Sequence, residues 1–270
     1  MSLKPFLPAG RIMDVTFSDT LLALIFSAIA IVYASVGQAG ATGYIAVMAI
    51  AGLSPDVIKP TALALNIVVA AIGTIRFAAA GLLTWRTCYP FAILGVPFSL
   101  VGGALNLPGI VYMPVVGLLL LLAAWQIIQP RRGASTPESE LADPPFLPSL
   151  AAGGIIGFIS GVTGIGGGIF IAPLIISLAW ATTRQAAAIS ANFNLLNSAA
   201  ALTGAWATLP GLPPQLPLWM VAAAIGGLVG SWLALNRLPP AMLRMILFAL
   251  LAVAGLRMLW AWVQLMWVVT

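Results

Sequence analysis

Of the 270 residues, 61% are hydrophobic and 6% are charged, and the mean hydropathy is +1.10. A soluble domain carries about 25% charged residues, so the composition excludes a soluble fold and places the chain in lipid. The net charge of +5 comes from cations scattered singly between apolar runs, which excludes a nucleic-acid patch, and one Cys with no His excludes a disulfide or a soft-metal cluster.

Residues 1–20 read as a short retained tail, with Lys4 and Arg11 offset by Asp14 and Asp19 and no cleavage site after an apolar core. Apolar segments then fall at 21–36, 43–53, 58–80, 89–106 and 111–129, the first transmembrane repeat (21–129). The stretch "PRRGASTPESELADPP" holds five of the seventeen charged residues and four prolines, so 130–147 reads as a cytoplasmic linker. Segments recur at 148–162, 169–180, 185–206, 217–235 and 241–267, the second repeat (148–267). The second and seventh segments are too short to span a hydrocarbon core of about 30 Å and predict half-helices that stop inside it.

An ungapped shift of 126 residues lays 35–66 over 161–192 with seven identities, among them Gly40/Gly166 and Asn66/Asn192. Roughly three would arise by chance in so biased a composition, so placement decides: a glycine-rich break and a following Asn coincide in both halves. Five segments per half make the halves enter from opposite faces. With both termini outside, Arg86, Arg131, Arg132, Arg184, Arg237 and Arg244 fall inside, in keeping with the positive-inside bias, while Lys4, Arg11 and Lys59 stay outside. Trp260, Trp262 and Trp267 then crowd an outer aromatic belt. The expected fold is an all-α integral membrane protein of two inverted repeats, with broken helices at the repeat interface.

The breaks carry the chemistry. "GVTGIGGGIFIAP" holds Thr163, Gly164, Gly166, Gly167 and Gly168, a run too dense in glycine for a stable helix. Bare N–H groups and the positive end of a helix dipole make an anion site. Irregular backbone at this depth is tolerated only inside protein or beside a wet cavity. The matching "GQAGATG" offers Gly37, Gly40 and the side-chain donors Gln38 and Thr42. Gly153, Gly157 and Gly161, at four-residue spacing, predict close helix packing instead. Asn66, Asn192 and Asn194 follow the breaks, with Thr61, Ser190 and Asn197 nearby; substrate contact and inter-helix hydrogen bonding are both open for Asn66 and Asn192, and Asn197 is assigned to the latter. Arg76 and Arg257 read as snorkelling cations.

No Asp, Glu or His falls within a predicted span, which argues against a proton relay, a metal or an intramembrane hydrolase. A neutral, dipole-rich path for a small anion is left. The alternatives are an anion channel and a non-transporting membrane scaffold. No cofactor is expected; a homodimer would give a moving element its fixed frame.

On these motifs, above all "GVTGIGGGIFIAPLI" followed by "RQAAAISANFNLLNSAAALTG", the chain resembles the sulfite exporter TauE/SafE family from about residue 20 to 265. The first-half copy departs from the pattern, lacking the triple glycine and the proline after it. The resemblance implies alternating-access movement of sulfite, sulfonates such as sulfoacetate or isethionate, or related oxyanions across a bacterial inner membrane. It assigns binding to the glycine loops and the Asn-bearing helices.

Overall fold

The computed structural model describes residues 19–128, 144–206, 211–236 and 240–269. These form ten α-helices and, among the described residues, no strand: α1 Asp19–Ser35, α2 Ala41–Ile50, α3 Pro55–Ala79, α4 Trp85–Ala104, α5 Gly109–Ile128, α6 Phe146–Thr163, α7 Gly168–Ser177, α8 Thr183–Ala205, α9 Leu216–Asn236 and α10 Pro240–Val269. The linker and tail proposed from the sequence fall largely outside the described residues, as do Lys4, Arg11, Asp14, Arg131, Arg132, Arg237 and the side chain of Arg244.

Local chemistry accounts for the boundaries. Ser54 sits in extended backbone ahead of α3, Pro55 takes its first position and Asp56 its first turn, a combination suited to a helix start. At α8, Thr182 and Gln185 form a reciprocal capping box, with Gln185 N–H donating to Thr182 Oγ1 at 3.2 Å and Thr182 N–H to Gln185 Oε1 at 3.0 Å. Five helices (α3, α4, α5, α6 and α9) contain stretches long and apolar enough to cross a membrane. By contrast, α2 and α7 have ten residues each and reach about 15 Å, half a hydrocarbon core.

Helices approach through small residues rather than interdigitated bulk, as suits a solvent that is itself apolar. Gly153, Gly157 and Gly161 put bare α6 backbone against the carbonyls of Phe91, Gly95 and Ser99 on α4. Gly226 and Gly230 do the same for α9 against Ser27 and Ile31 of α1, again at four-residue spacing. The main partnerships are α4 with α6, α1 with α9, α5 with α10, α4 with α8, and α3 with both α8 and α9. Outward-facing side chains such as Ile75, Trp85, Leu147, Trp260 and Trp267 are large, apolar and exposed, a surface fit for lipid.

Two cations differ from their sequence assignment. Lys59, expected only as one of the outer-side charges, lies within α3 at 6% exposure and has hydrogen-bond partners there. Its ammonium donates to the carbonyls of Gly103 and Leu105 at 2.9 Å each and of Gly102 at 3.4 Å. It closes the C-terminal end of α4, where orphan carbonyls and the helix dipole both call for positive charge. Arg257 does more than snorkel: its Nε–H donates to Ala49 O at 3.3 Å and so reaches the C-terminal turn of the half-helix α2. Arg76 sits in the last turn of α3.

Candidate functional site

The glycine run ends one helix and starts another. Gly164 caps α6 in the left-handed region, and its N–H is taken by Ser160 O at 2.8 Å. Gly166 (φ +83°) and Gly167 (φ +54°) turn the chain into α7 through backbone that L side chains rarely adopt. A Cβ at Gly166 would press on the carboxamides of Asn66 and Asn194 and on Ala41, the first residue of α2. The starts of the two half-helices therefore meet at this glycine. Gln38 fastens the junction, its Nε2 donating to Gly168 O at 3.2 Å.

Each half-helix is closed in the same way. The N–H of Ala41, first in α2, donates to Asn66 Oδ1 on α3 at 3.1 Å, and the N–H of Gly168, first in α7, donates to Asn194 Oδ1 on α8 at 2.8 Å. Because α3 begins at Pro55 and α8 at Thr183, Asn66 and Asn194 are each the twelfth residue of their helix. Asn66 also donates through Nδ2 to Ser198 Oγ on α8 at 2.7 Å, and Ser190 Oγ donates to Gly168 O at 2.9 Å. Four buried polar side chains of α8, Ser190, Asn194, Asn197 and Ser198, thus form one stripe at helical spacing toward the junction.

Asn192 falls two residues off that stripe. It is half-buried, and its side chain hydrogen-bonds Cys88 on α4 rather than the glycine loop. By contact the partner of Asn66 is Asn194. The ungapped comparison misses this because its shift of 126 is out of register with the helices: α1 and α6 end 128 residues apart (35 and 163), α2 and α7 start 127 apart (41 and 168), and α3 and α8 start 128 apart (55 and 183).

Several other expected residues are engaged within the protein. Thr42 donates to Tyr33 Oη at 2.9 Å. Thr163 returns its hydroxyl to Ile159 O at 2.6 Å, and its carbonyl accepts from Tyr112 at 3.0 Å. Gly37 lets the first loop lie on Ala187 of α8, a packing role, while Gly40 is the N-cap of α2 beside the Tyr44 ring. Among the described residues, the N–H groups of Gly166, Gly167 and Ile169 meet no protein acceptor, nor do those of Thr42 and Gly43. A buried amide left unmet costs roughly 1–3 kcal/mol, so this concentration of free donors around two helix starts is an arrangement for negative charge.

A cavity of about 510 Å³ lies elsewhere, at the far end of α2, bounded by Asp19, Leu22, Leu53 and Trp219. Ten helical residues, about 15 Å, separate it from the glycines. An acidic rim and apolar walls suit an anion poorly; the donors are at the junction.

Three groups near the junction were not among the expected site residues, and Asn197 lacks the inter-helix side-chain bond assigned to it from the sequence. Lys59 lies against Gly164 through its aliphatic stem. Ser198 supports Asn66. Asn197 is fully buried with neither side-chain atom bonded. The spacing 190, 194, 197, 198 could have found the α8 residues as one face, whereas Lys59 is hidden by its position near the start of α3.

A family model described as Sulfite exporter TauE/SafE matches residues 21–258. The chain is 50% identical over 240 residues to the "Probable membrane transporter protein y4hK" of Sinorhizobium fredii (strain NBRC 101917 / NGR234), an alignment covering 88% of this chain and 97% of that relative. No solved structure matches the chain.

Proposed function

We propose, for a chain that belongs to the sulfite exporter TauE/SafE family and is a multi-pass membrane transporter, that it carries a small oxyanion by alternating access, held where the starts of α2 and α7 meet. The observation that carries this reading is the junction itself: two half-helix N-termini in contact at Gly166, each closed by an Asn of the next helix, with unmet N–H groups around them. Helix dipoles and free amides together favour an anion at such a place, and the buried setting strengthens them.

An inverted repeat is supported by the helix partnerships. Exchanging the first five helices for the last five turns α1 with α9 into α6 with α4, and α3 with α9 into α8 with α4; α3 with α8 and α5 with α10 map onto themselves. Such a frame lets one half rock against the other about a midplane site. We place both termini outside and the protein in the bacterial inner membrane, on the distribution of arginines. Sulfite is the substrate the family description names, and small sulfonates share its oxyanion chemistry.

Flux of sulfite and of a sulfonate into proteoliposomes tests the reading. Saturable uptake by the native protein, abolished in Gly167→Val while the variant still inserts and purifies, is the expected result. No uptake of any small oxyanion by the native protein, or undiminished uptake by the variant, would overturn it.

A further inference from the structure

We infer that Asn197 contacts the transported ligand, and that this ligand bears a hydrogen-bond donor beside its negative charge, as a singly protonated oxyanion does. The inference rests on the anion site proposed above and narrows its ligand. Asn197 lies on α8 at 0% exposure, and neither its carbonyl oxygen nor its amide nitrogen has a partner. The carboxamide is aimed between α4 and the glycine loop. Nδ2 is 3.3 Å from where a Cβ on Gly167 would stand, and Oδ1 is 3.3 Å from the same point on Gly95. The inter-helix bond that such a residue would make in lipid is therefore absent; the α4–α8 bond here comes from Ser99 Oγ to the Asn197 backbone carbonyl, at 2.8 Å.

The fold does not need a polar group at this place. Asn197 is the fifteenth residue of α8, and the fifteenth residue of α3 is Val69, equally buried. Val69 packs against Gly227 of α9 much as Asn197 packs against Gly95 of α4. Valine does the packing in one half, so the carboxamide in the other is kept for something besides packing. Its neighbour Gly167 has an N–H with no acceptor among the described residues.

The two orphaned atoms define the ligand. Loop N–H groups and Asn197 Nδ2 donate, and a fully deprotonated oxyanion satisfies all of them. Asn197 Oδ1 accepts, and a ligand that carries its own donor answers it, as the O–H of a singly protonated oxyanion does. A hydrogen-oxyanion offers both on one centre, so the proton rides on the ligand rather than on a side chain. On the helices packed against α8, the titratable groups are Asp56, Lys59 and Arg76 of α3 and Arg86, Cys88 and Tyr89 of α4; α6 and α7 carry none. Lys59 is occupied by the α4 carbonyls and Cys88 by Asn192.

The test uses the full-length protein in lipid nanodiscs, with binding measured by calorimetry for two probes. One is sulfite, at pH values on either side of the hydrogensulfite–sulfite dissociation; the other is methanesulfonate, which carries no proton at any of them. In the native protein, sulfite affinity falls as pH rises through that dissociation, and methanesulfonate affinity stays level. Asn197→Val lowers hydrogensulfite affinity about tenfold or more, and lowers that of methanesulfonate, which loses only the Nδ2 donor, by clearly less. Asn197→Thr, which has the shape of valine and a hydroxyl that can donate and accept, recovers part of the loss. Unchanged binding of both probes by Asn197→Val overturns the inference and leaves the anion site standing. Equal loss of both probes overturns the donor-bearing ligand, and failure of both variants to fold overturns the claim that the fold tolerates valine here. If the native protein binds neither probe, the anion site itself fails.

Discussion

The two half-helix junctions use the same device with different surroundings. Both close the first N–H of a ten-residue helix with the twelfth residue of the next one. In the first half, the α3 residues that match the α8 stripe in register are Ala62, Asn66, Val69 and Ala70; in the second they are Ser190, Asn194, Asn197 and Ser198. The first turn of α2 carries Ala41, while that of α7 carries Gly168 against the Asn194 amide. The shared Asn is thus the structural minimum for starting one of these short buried helices. On the function proposed above, the added polar groups and bare backbone of the second junction are what a ligand would use.

That contrast can be broken most severely at the helix starts. A methyl at Gly168 would overlap Asn194 and Ser190, so Gly168→Ala is expected to cut transport by about a hundredfold or more, roughly 2.7 kcal/mol or beyond. Ala41→Gly, the matching change in the first half, keeps flux within about twofold and costs no more than about 1 kcal/mol of stability. Proteoliposome flux and thermal unfolding of the pair measure both. Equal damage from the two would remove the distinction between the junctions.

The capping Asn residues come next. Asn66→Leu strands the buried Ala41 N–H and Asn194→Leu leaves the Gly168 N–H only the tight turn contact to Gly166 O at 2.5 Å, and each is expected to lose about 1–3 kcal/mol of unfolding free energy. Asn66→Leu should be the worse for stability, since it also strands Ser198. Lys59→Met, which leaves three carbonyls at the end of α4 unmet, falls in the same range of about 1–3 kcal/mol, whereas Arg257→Met, at an exposed site with one carbonyl, stays below about 1 kcal/mol. The smallest effect is expected at Asn192→Leu, whose partner Cys88 is a weak one. Flux within about twofold of native is the expectation, and a hundredfold loss would reinstate Asn192 as a site residue.

Much of this architecture was legible because glycine and length carry physical meaning in lipid. Apolar runs of eleven or twelve residues cannot span, and the short helices lie where those runs predict, to within a few residues. Gly153, Gly157 and Gly161 could be assigned to packing from spacing alone. The partner of Asn66 could not be read from identities, since the shift of 126 that collects them falls two residues short of the offset between α3 and α8 (55 and 183) and lands on Asn192. The helical stripe of α8 held the correct answer. Lys59 escaped because its role depends on the end of α4, more than forty residues away in sequence. Gln38 and Thr42 were rightly seen as donors, but the sequence does not say that Gly168 O and Tyr33 already receive them.

The most direct test of the account is anomalous diffraction from crystals of the full-length protein soaked in selenite, a heavier analogue of sulfite. The account predicts a selenium peak at the junction, with ligand oxygens about 3 Å from the N–H groups of Gly166, Gly167 or Ile169. A peak confined to the distant cavity by Asp19 and Trp219, with the glycine junction bare, would contradict it.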